Sequence, residues 1–203
     1  MASRIGAVRG DLIGIEILER GGNRAIDELT VEVPSSDLLE LLVREVHEVD
    51  GVDVEDVREW HQGEHDTRIA PLEVVLRLID ESDVEGVAKA LVSRLAEMFE
   101  LSFAAVVSTQ DEMVVVGEGA VPPERWLLAF VKGGSLRSQL EGVTEGNREI
   151  MLHGLDFNGW TLVAARDARA FRALERSQIW MLTQIAGRCA TQLAKQSQRP
   201  ELG

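Results

Sequence analysis

The sequence predicts an α+β protein of two small domains, each an antiparallel sheet packed by helices. Three observations predict it. Apolar residues alternate with period two in short runs and recur at helical spacing in longer ones, and both patterns occur on each side of residue 60. Residues 61–70, HQGEHDTRIA, carry neither period and contain Gly63, as a linker does. The charge is also uneven. The 203 residues carry a net −14, of which residues 1–70, with seven basic and seventeen acidic side chains, hold −10. The expected division is a domain over 1–60, a linker over 61–70, a domain over 71–196 and a flexible tail over 197–203.

In the first domain, Ala2 to Val8 has room for barely two helical turns before Gly10. Ile13, Ile15 and Ile17 then alternate as one face of a strand, and Leu29, Val31 and Val33 as one face of another. Gly21-Gly22-Asn23 supplies the turn between them, so the pair reads as a hairpin with one wet face. Pro34 and two serines end the sheet. Asp37 and Glu40 have capping-box spacing ahead of Leu38, Leu39, Leu42, Val46 and Val49, and Gly51 stops that helix. Val52 to Trp60 has the length and branching of one more strand.

In the second domain, Leu72, Val75, Leu76 and Ile79 mark one helix, and Asp83 caps another that carries Val84 to Phe99. Phe103–Val107 and Met113–Val116 are apolar runs of strand length joined at Gln110-Asp111. Pro122-Pro123 opens a helix bearing Trp126, Leu127, Phe130 and Val131, which Gly133-Gly134 stops. Residues 133–147 read as a glycine-rich loop. Glu149–Leu155 and Trp160–Ala165 form a hairpin across Asn158-Gly159, and Ala170 to Gln196 is one long helix.

Composition excludes several classes. Hydrophobic residues at 45% and charged residues at 28% are a globular mix and exclude wholesale disorder. Cys189 is the only cysteine, so neither an internal disulfide nor a cysteine-based metal site is expected, and a reducing cytoplasm is the expected location. Met1 to Arg9 lack the apolar core of a signal peptide, and no run reaches the roughly 18 apolar residues of a membrane span. The acidic first domain is a poor match for nucleic acid. Residues 166–199 are the exception to the acidity, with seven basic and two acidic side chains, a net +5. They lack a helix-turn-helix and interleaved exposed aromatics, so an acidic protein surface is the expected partner.

The chemistry-bearing motifs are sparse. His61, Glu64 and His65 could bind zinc, but HQGEH is not a metalloprotease spacing and a solvated linker is the better account. In Gly117-Glu118-Gly119 the third glycine of a dinucleotide fingerprint would fall on Pro122, so a turn is expected. Ser102, Ser108, Ser135, Ser138 and His153 form no nucleophile motif, and Cys189 beside Arg188 reads as a packing residue. The acidic side chains of 37–59 lack calcium-loop order. Catalytic residues, a metal and a cofactor are therefore not expected. Trp126, Phe130, Phe157 and Trp160 could line a small-molecule pocket, with Arg125 or Arg148 meeting an anionic group.

The runs ASRIGAVRGDLIGIEILERG and AIDELTVEVP, followed by an acidic amphipathic helix, resemble the α1-β2-β3-α2 stretch of an ACT domain, a βαββαβ module of ferredoxin-like topology that commonly binds amino acids. The resemblance covers about 60 residues and implies ligand contacts at Asp11, Leu12 and Ile13. The family's first strand is missing here. A misplaced or truncated start is the expected reason, because a gap inside the sheet would leave buried backbone groups unpaired at about 1–3 kcal/mol each. Residues 71–196 resemble a GAF domain in order: paired helices, two strands, an excursion, two strands and a closing helix. That resemblance implies a small-molecule or dimerisation module.

Together these readings point to a non-enzymatic cytoplasmic regulatory protein. It would sense a metabolite such as an amino acid and signal to a protein partner through contacts. A homodimer is expected, with Leu76, Ile79, Phe171, Leu174, Trp180 and Ile185 in an intersubunit helix bundle. The alternative is a ligand-free dimerisation or interaction scaffold built from the same two folds.

Overall fold

A computed structural model describes residues 1–21, 24–57, 69–134, 143–145, 148–167 and 170–197. The chain divides into two compact units, Met1–Glu64 and His65–Gly203. Both are α+β, with antiparallel sheets packed by helices, as expected.

The first unit runs α1 (Ala2–Ala7), β1 (Asp11–Gly21), β2 (Arg24–Glu32), a 3-10 turn (Ser36–Leu38) and α2 (Leu39–His47). Ile5, Val8 and Leu42 are its buried centre, with Leu12, Leu29, Val31 and Val33 packed against them. Arg4 ties α1 to α2 through Glu45 at 2.9 Å and Glu48 at 2.8 Å. Three expectations are corrected here. Ile13, Ile15 and Ile17 do not form a buried face and are 53%, 63% and 48% exposed. Burial along β1 still alternates over residues 11–18, but Ile13, Ile15 and Ile17 are the exposed set and Leu12 is on the covered one. The pairing of β1 with β2 slips between Leu12 and Gly14 and between Ile17 and Glu19, and the buried cluster lies toward the Leu12–Val31 end. The helix cap is Ser35, whose hydroxyl accepts from Asp37 N, with a 3-10 turn before the helix proper. Residues 52–57 form no strand, so the sheet has two strands among the described residues. Glu55 and Asp56 stand adjacent there and break the period of two that a half-buried strand needs, and Asp53 pairs at the surface with Arg24 of β2 at 4.0 Å. Residues 58–60 of that expected strand, and most of the expected linker, lie outside the described residues.

The second unit runs α3 (Ala70–Asp80), α4 (Val84–Met98), β3 (Phe103–Ser108), β4 (Met113–Gly119), α5 (Glu124–Gly134), β5 (Val143–Glu145), β6 (Arg148–Gly154), β7 (Trp160–Asp167) and α6 (Ala173–Ser197). Its sheet is ordered β4-β3-β7-β6-β5, with every neighbouring pair antiparallel. β3 and most of β7 are buried, as expected for strands covered on both faces. Ala104, Val106, Leu162 and Ala164 pack with α3, α4 and α6 on one face. Phe103, Ala105, Val107, Val163 and Ala165 pack with Leu127 and Val131 of α5 on the other. Local chemistry sets the element ends. Asp83 accepts from Gly86 N at 2.7 Å to cap α4. Gly119 ends β4 at φ +78°, where the Ser102 carbonyl leaves no room for a Cβ. Gly117, Glu118 and Gly119 pair with Ala105, Ala104 and Phe103, so the turn expected at Gly-Glu-Gly is instead the paired end of a strand.

Candidate functional site

A hollow of about 500 Å³ lies at one end of the sheet of the second unit. Its walls are Thr109 of the β3–β4 turn, Val131 and Lys132 near the end of α5, the β6–β7 loop from Gly154 to Gly159, and Trp160 and Thr161 opening β7. The loop is built tightly. Leu155 N donates to Trp160 O at 2.9 Å and Trp160 N to Phe157 O at 2.8 Å. Asp156, Asn158 and Gly159 adopt positive φ, which is why an Asn-Gly pair stands here. Phe157 and Trp160 meet edge to face, with ring centroids 5.0 Å apart. The Thr109 amide and hydroxyl both donate to Gly159 O, at 3.1 and 3.0 Å. On the opposite side, Gln184 Nε2 of α6 donates to Gly154 O at 2.9 Å. Gly187 presses so close that a Cβ would lie 1.6 Å from Leu155 O.

The structure separates the expected ligand residues. Trp126 and Phe130 stack at 4.9 Å on α5 and pack into the cluster between α5 and the sheet. Phe157 and Trp160 belong to the cluster on the other face, so the four aromatics do not form one pocket. Arg125 is exposed at the start of α5 and does not border the hollow. Arg148 is engaged by Asp167 through Nε at 2.6 Å and NH2 at 3.2 Å, and this pairing holds the Asp167 carboxyl below its ordinary range. Asp11, Leu12 and Ile13 stand at the start of β1 in the first unit, where Leu12 packs inward and Ile13 is exposed. Lys132 and Asp156 border the hollow and were not singled out from the sequence. Their position follows from where α5 ends relative to the loop, which neither residue signals locally.

The second feature is a helix face. Leu72, Leu76 and Ile79 of α3 are 62%, 62% and 61% exposed, and Ile69 just before α3 is 51% exposed. Positions 69, 72, 76 and 79 follow the three-four-three spacing of a helix–helix seam. Leu174, Trp180 and Met181 of α6 are each about half exposed. Two expected interface residues lie elsewhere. Phe171 is 3% exposed, with the Arg166 guanidinium 4.4 Å over its ring, and packs inside its own unit. Ile185 is half-buried against the same core.

Phe171 sits in an ionic clasp that starts α6. Arg166, 3% exposed, binds Glu175 with both terminal nitrogens, at 3.0 and 2.7 Å, and donates to the carbonyls of Phe99 and Ala170. Glu175 also accepts from Arg172 N. Glu149 accepts from Phe171 N and pairs with Arg176 at 2.7 Å.

The remaining reactive groups have structural surroundings. Ser108 is buried and exchanges hydrogen bonds with Asp111 in the β3–β4 turn. Burial lowers the His153 pKa below its ordinary value, and its Nε2 is buried with no hydrogen-bond partner. Burial raises the Cys189 thiol pKa, the opposite of activation by Arg188. Among the described residues no group of His, Cys, Asp and Glu could hold a metal, and no helix is long and apolar enough to cross a membrane. His61, Glu64, His65, Ser135 and Ser138 lie outside the described residues.

The sequence matches no protein-family model and no curated protein. Solved structures similar in fold include the GAF domain of an Acinetobacter phosphoenolpyruvate-protein phosphotransferase, with 8% identity and TM-score 0.48, covering 68% of this chain and 99% of that one. The GAF domain of cyanobacteriochrome TePixJ has 14% identity and TM-score 0.40, covering 58% and 95%. MglB of Myxococcus xanthus has 11% identity and TM-score 0.40, covering 67% and 96%.

Proposed function

We propose that the chain is a non-enzymatic regulatory protein that works as a homodimer, joined through the α3–α6 helix face of its second unit. The observation that carries this reading is the exposed row Ile69, Leu72, Leu76 and Ile79. A seam of that spacing matches another helix, and leaving it in water forgoes the free energy of burying four large apolar side chains. Charge favours a second copy as the occupant. α3 carries Glu73 and Asp80 against Arg77, while α6 carries Arg188 and Lys195 beyond the clasp that engages Arg176 and Glu175. A two-fold arrangement that sets α3 of each copy beside α6 of the other pairs unlike charges and buries both apolar rows. Sedimentation of the full chain tests it: a dimer mass at micromolar concentration is expected, and a monomer mass throughout that range contradicts it.

A second reading, that a small metabolite regulates this dimer, is supported by the hollow beside Lys132, Asp156, Phe157 and Trp160. Its volume is in the range of small-molecule sites, and it joins an aromatic wall to one cation and one anion. The helix–hairpin–helix order of the first unit supports an ACT-like effector module in the same sense. Thermal-shift screening against amino acids separates the readings. Stabilisation that grows with ligand concentration is expected of a sensor, and no shift with any amino acid favours the ligand-free scaffold.

A further inference from the structure

We propose that the β6–β7 loop, residues 155–159, couples the hollow to α6, so that a small molecule bearing one carboxylate and one ammonium, seated against Lys132 and Asp156, changes how α6 sits on the sheet. The proposal rests on the effector and dimer readings above and adds how one would act on the other.

The loop is gripped from both sides. Thr109 holds Gly159 O on the side of the β3–β4 turn, and Gln184 holds Gly154 O on the side of α6. At Gly187 the helix backbone and the Leu155 carbonyl are so close that no side chain fits between them. The aromatic wall continues this contact into the core. Phe157 and Trp160 border the hollow, yet they belong to the same buried cluster as Leu155, Leu182 and Ala186. A close-packed cluster transmits displacement because its members have no free volume to absorb it. Trp180 and Met181, on the outward side of α6, lie about two turns before Gly187. A loop moved by an occupant therefore pushes on the helix that carries the proposed dimer face.

The ligand class follows from the walls. Lys132 offers an ammonium and Asp156 a carboxylate, and Phe157, Trp160, Thr109 and Thr161 line the same hollow. Lys132 pairs with Glu112 in an exposed ion pair, and exchanging that carboxylate for a ligand's costs little. A ligand that fits one seating of α6 better than another shifts the helix by that difference in affinity, and the shift in dimer affinity follows by linkage.

The test fills the hollow covalently. Lys132→Cys in a Cys189→Ala background is labelled to completion with benzyl methanethiosulfonate, and amide hydrogen exchange is read over residues 179–190 of the full chain. Labelling is expected to change exchange there by about fivefold or more. The same label at Arg125→Cys, on the same helix but away from the hollow, is expected to change it less than twofold. Unchanged exchange in the fully labelled Lys132→Cys variant overturns the coupling, as does an equal change from the Arg125→Cys variant. Sedimentation of the same samples keeps the readings apart. In a chain that dimerises, the dimer dissociation constant moves with the exchange, and a constant that stays fixed overturns the link to the dimer face. A chain that remains monomeric contradicts the dimer reading, and the exchange result still decides the coupling.

Discussion

Gly187 is the residue on which the seating of α6 depends. In an open helix, replacing glycine by alanine gains about 1 kcal/mol. At Gly187 the sign reverses, because the new methyl would meet the Leu155 carbonyl at 1.6 Å and helix and loop must part. Gly187→Ala is expected to lower the unfolding free energy by about 3 kcal/mol in urea titration. Gly133→Ala on α5, where nothing lies within 4 Å, is expected to be neutral or slightly stabilising. Equal stability of the two variants would contradict the close seat. Little of this was legible in the sequence. A lone glycine inside an apolar helical pattern hints at a close approach, but not at what approaches. Phe157 and Trp160 were legible because Asn158-Gly159 advertises its turn. Lys132 was not, because a lysine at a helix end looks the same whether or not a loop faces it.

At the scale of elements, the start of α6 is set by charge. Glu175 serves Arg166 and the Arg172 amide together, and Glu149 serves Arg176 and the Phe171 amide. Removing one member leaves a buried charge uncompensated, so Glu175→Ala is expected to cost about 3 kcal/mol. Replacing both partners, as Arg166→Met with Glu175→Leu, is expected to leave the protein more stable than Glu175→Ala alone. A double variant less stable than the single one, again in urea, would contradict this account. Periodicity made the helices and both hairpins legible, since each buries one stripe or one face. Branching misled at Val52 to Trp60, where length and β-branched valines suggested a strand, but Glu55 and Asp56 stand adjacent and break the period of two, and residues 52–57 form none. Periodicity misled at Ile13, Ile15 and Ile17: the alternation is kept, but the face that α1 and α2 cover is the one bearing Leu12, and a period of two does not say which face is covered. The clasp was legible only as a surplus of arginine near residue 170.

At the scale of the molecule, an acidic chain has its basic exception on α6, beside an apolar row on α3 that its own unit leaves open. The central claim is that this face joins two copies. Sedimentation equilibrium of the full chain beside Leu72→Asp/Leu76→Asp tests it most directly. Both side chains point away from their own core, so the double variant is expected to stay folded by circular dichroism. The account predicts a dimer for the unaltered chain at micromolar concentration and a monomer for the variant. A monomeric unaltered chain, or a variant that dimerises equally well, would contradict it.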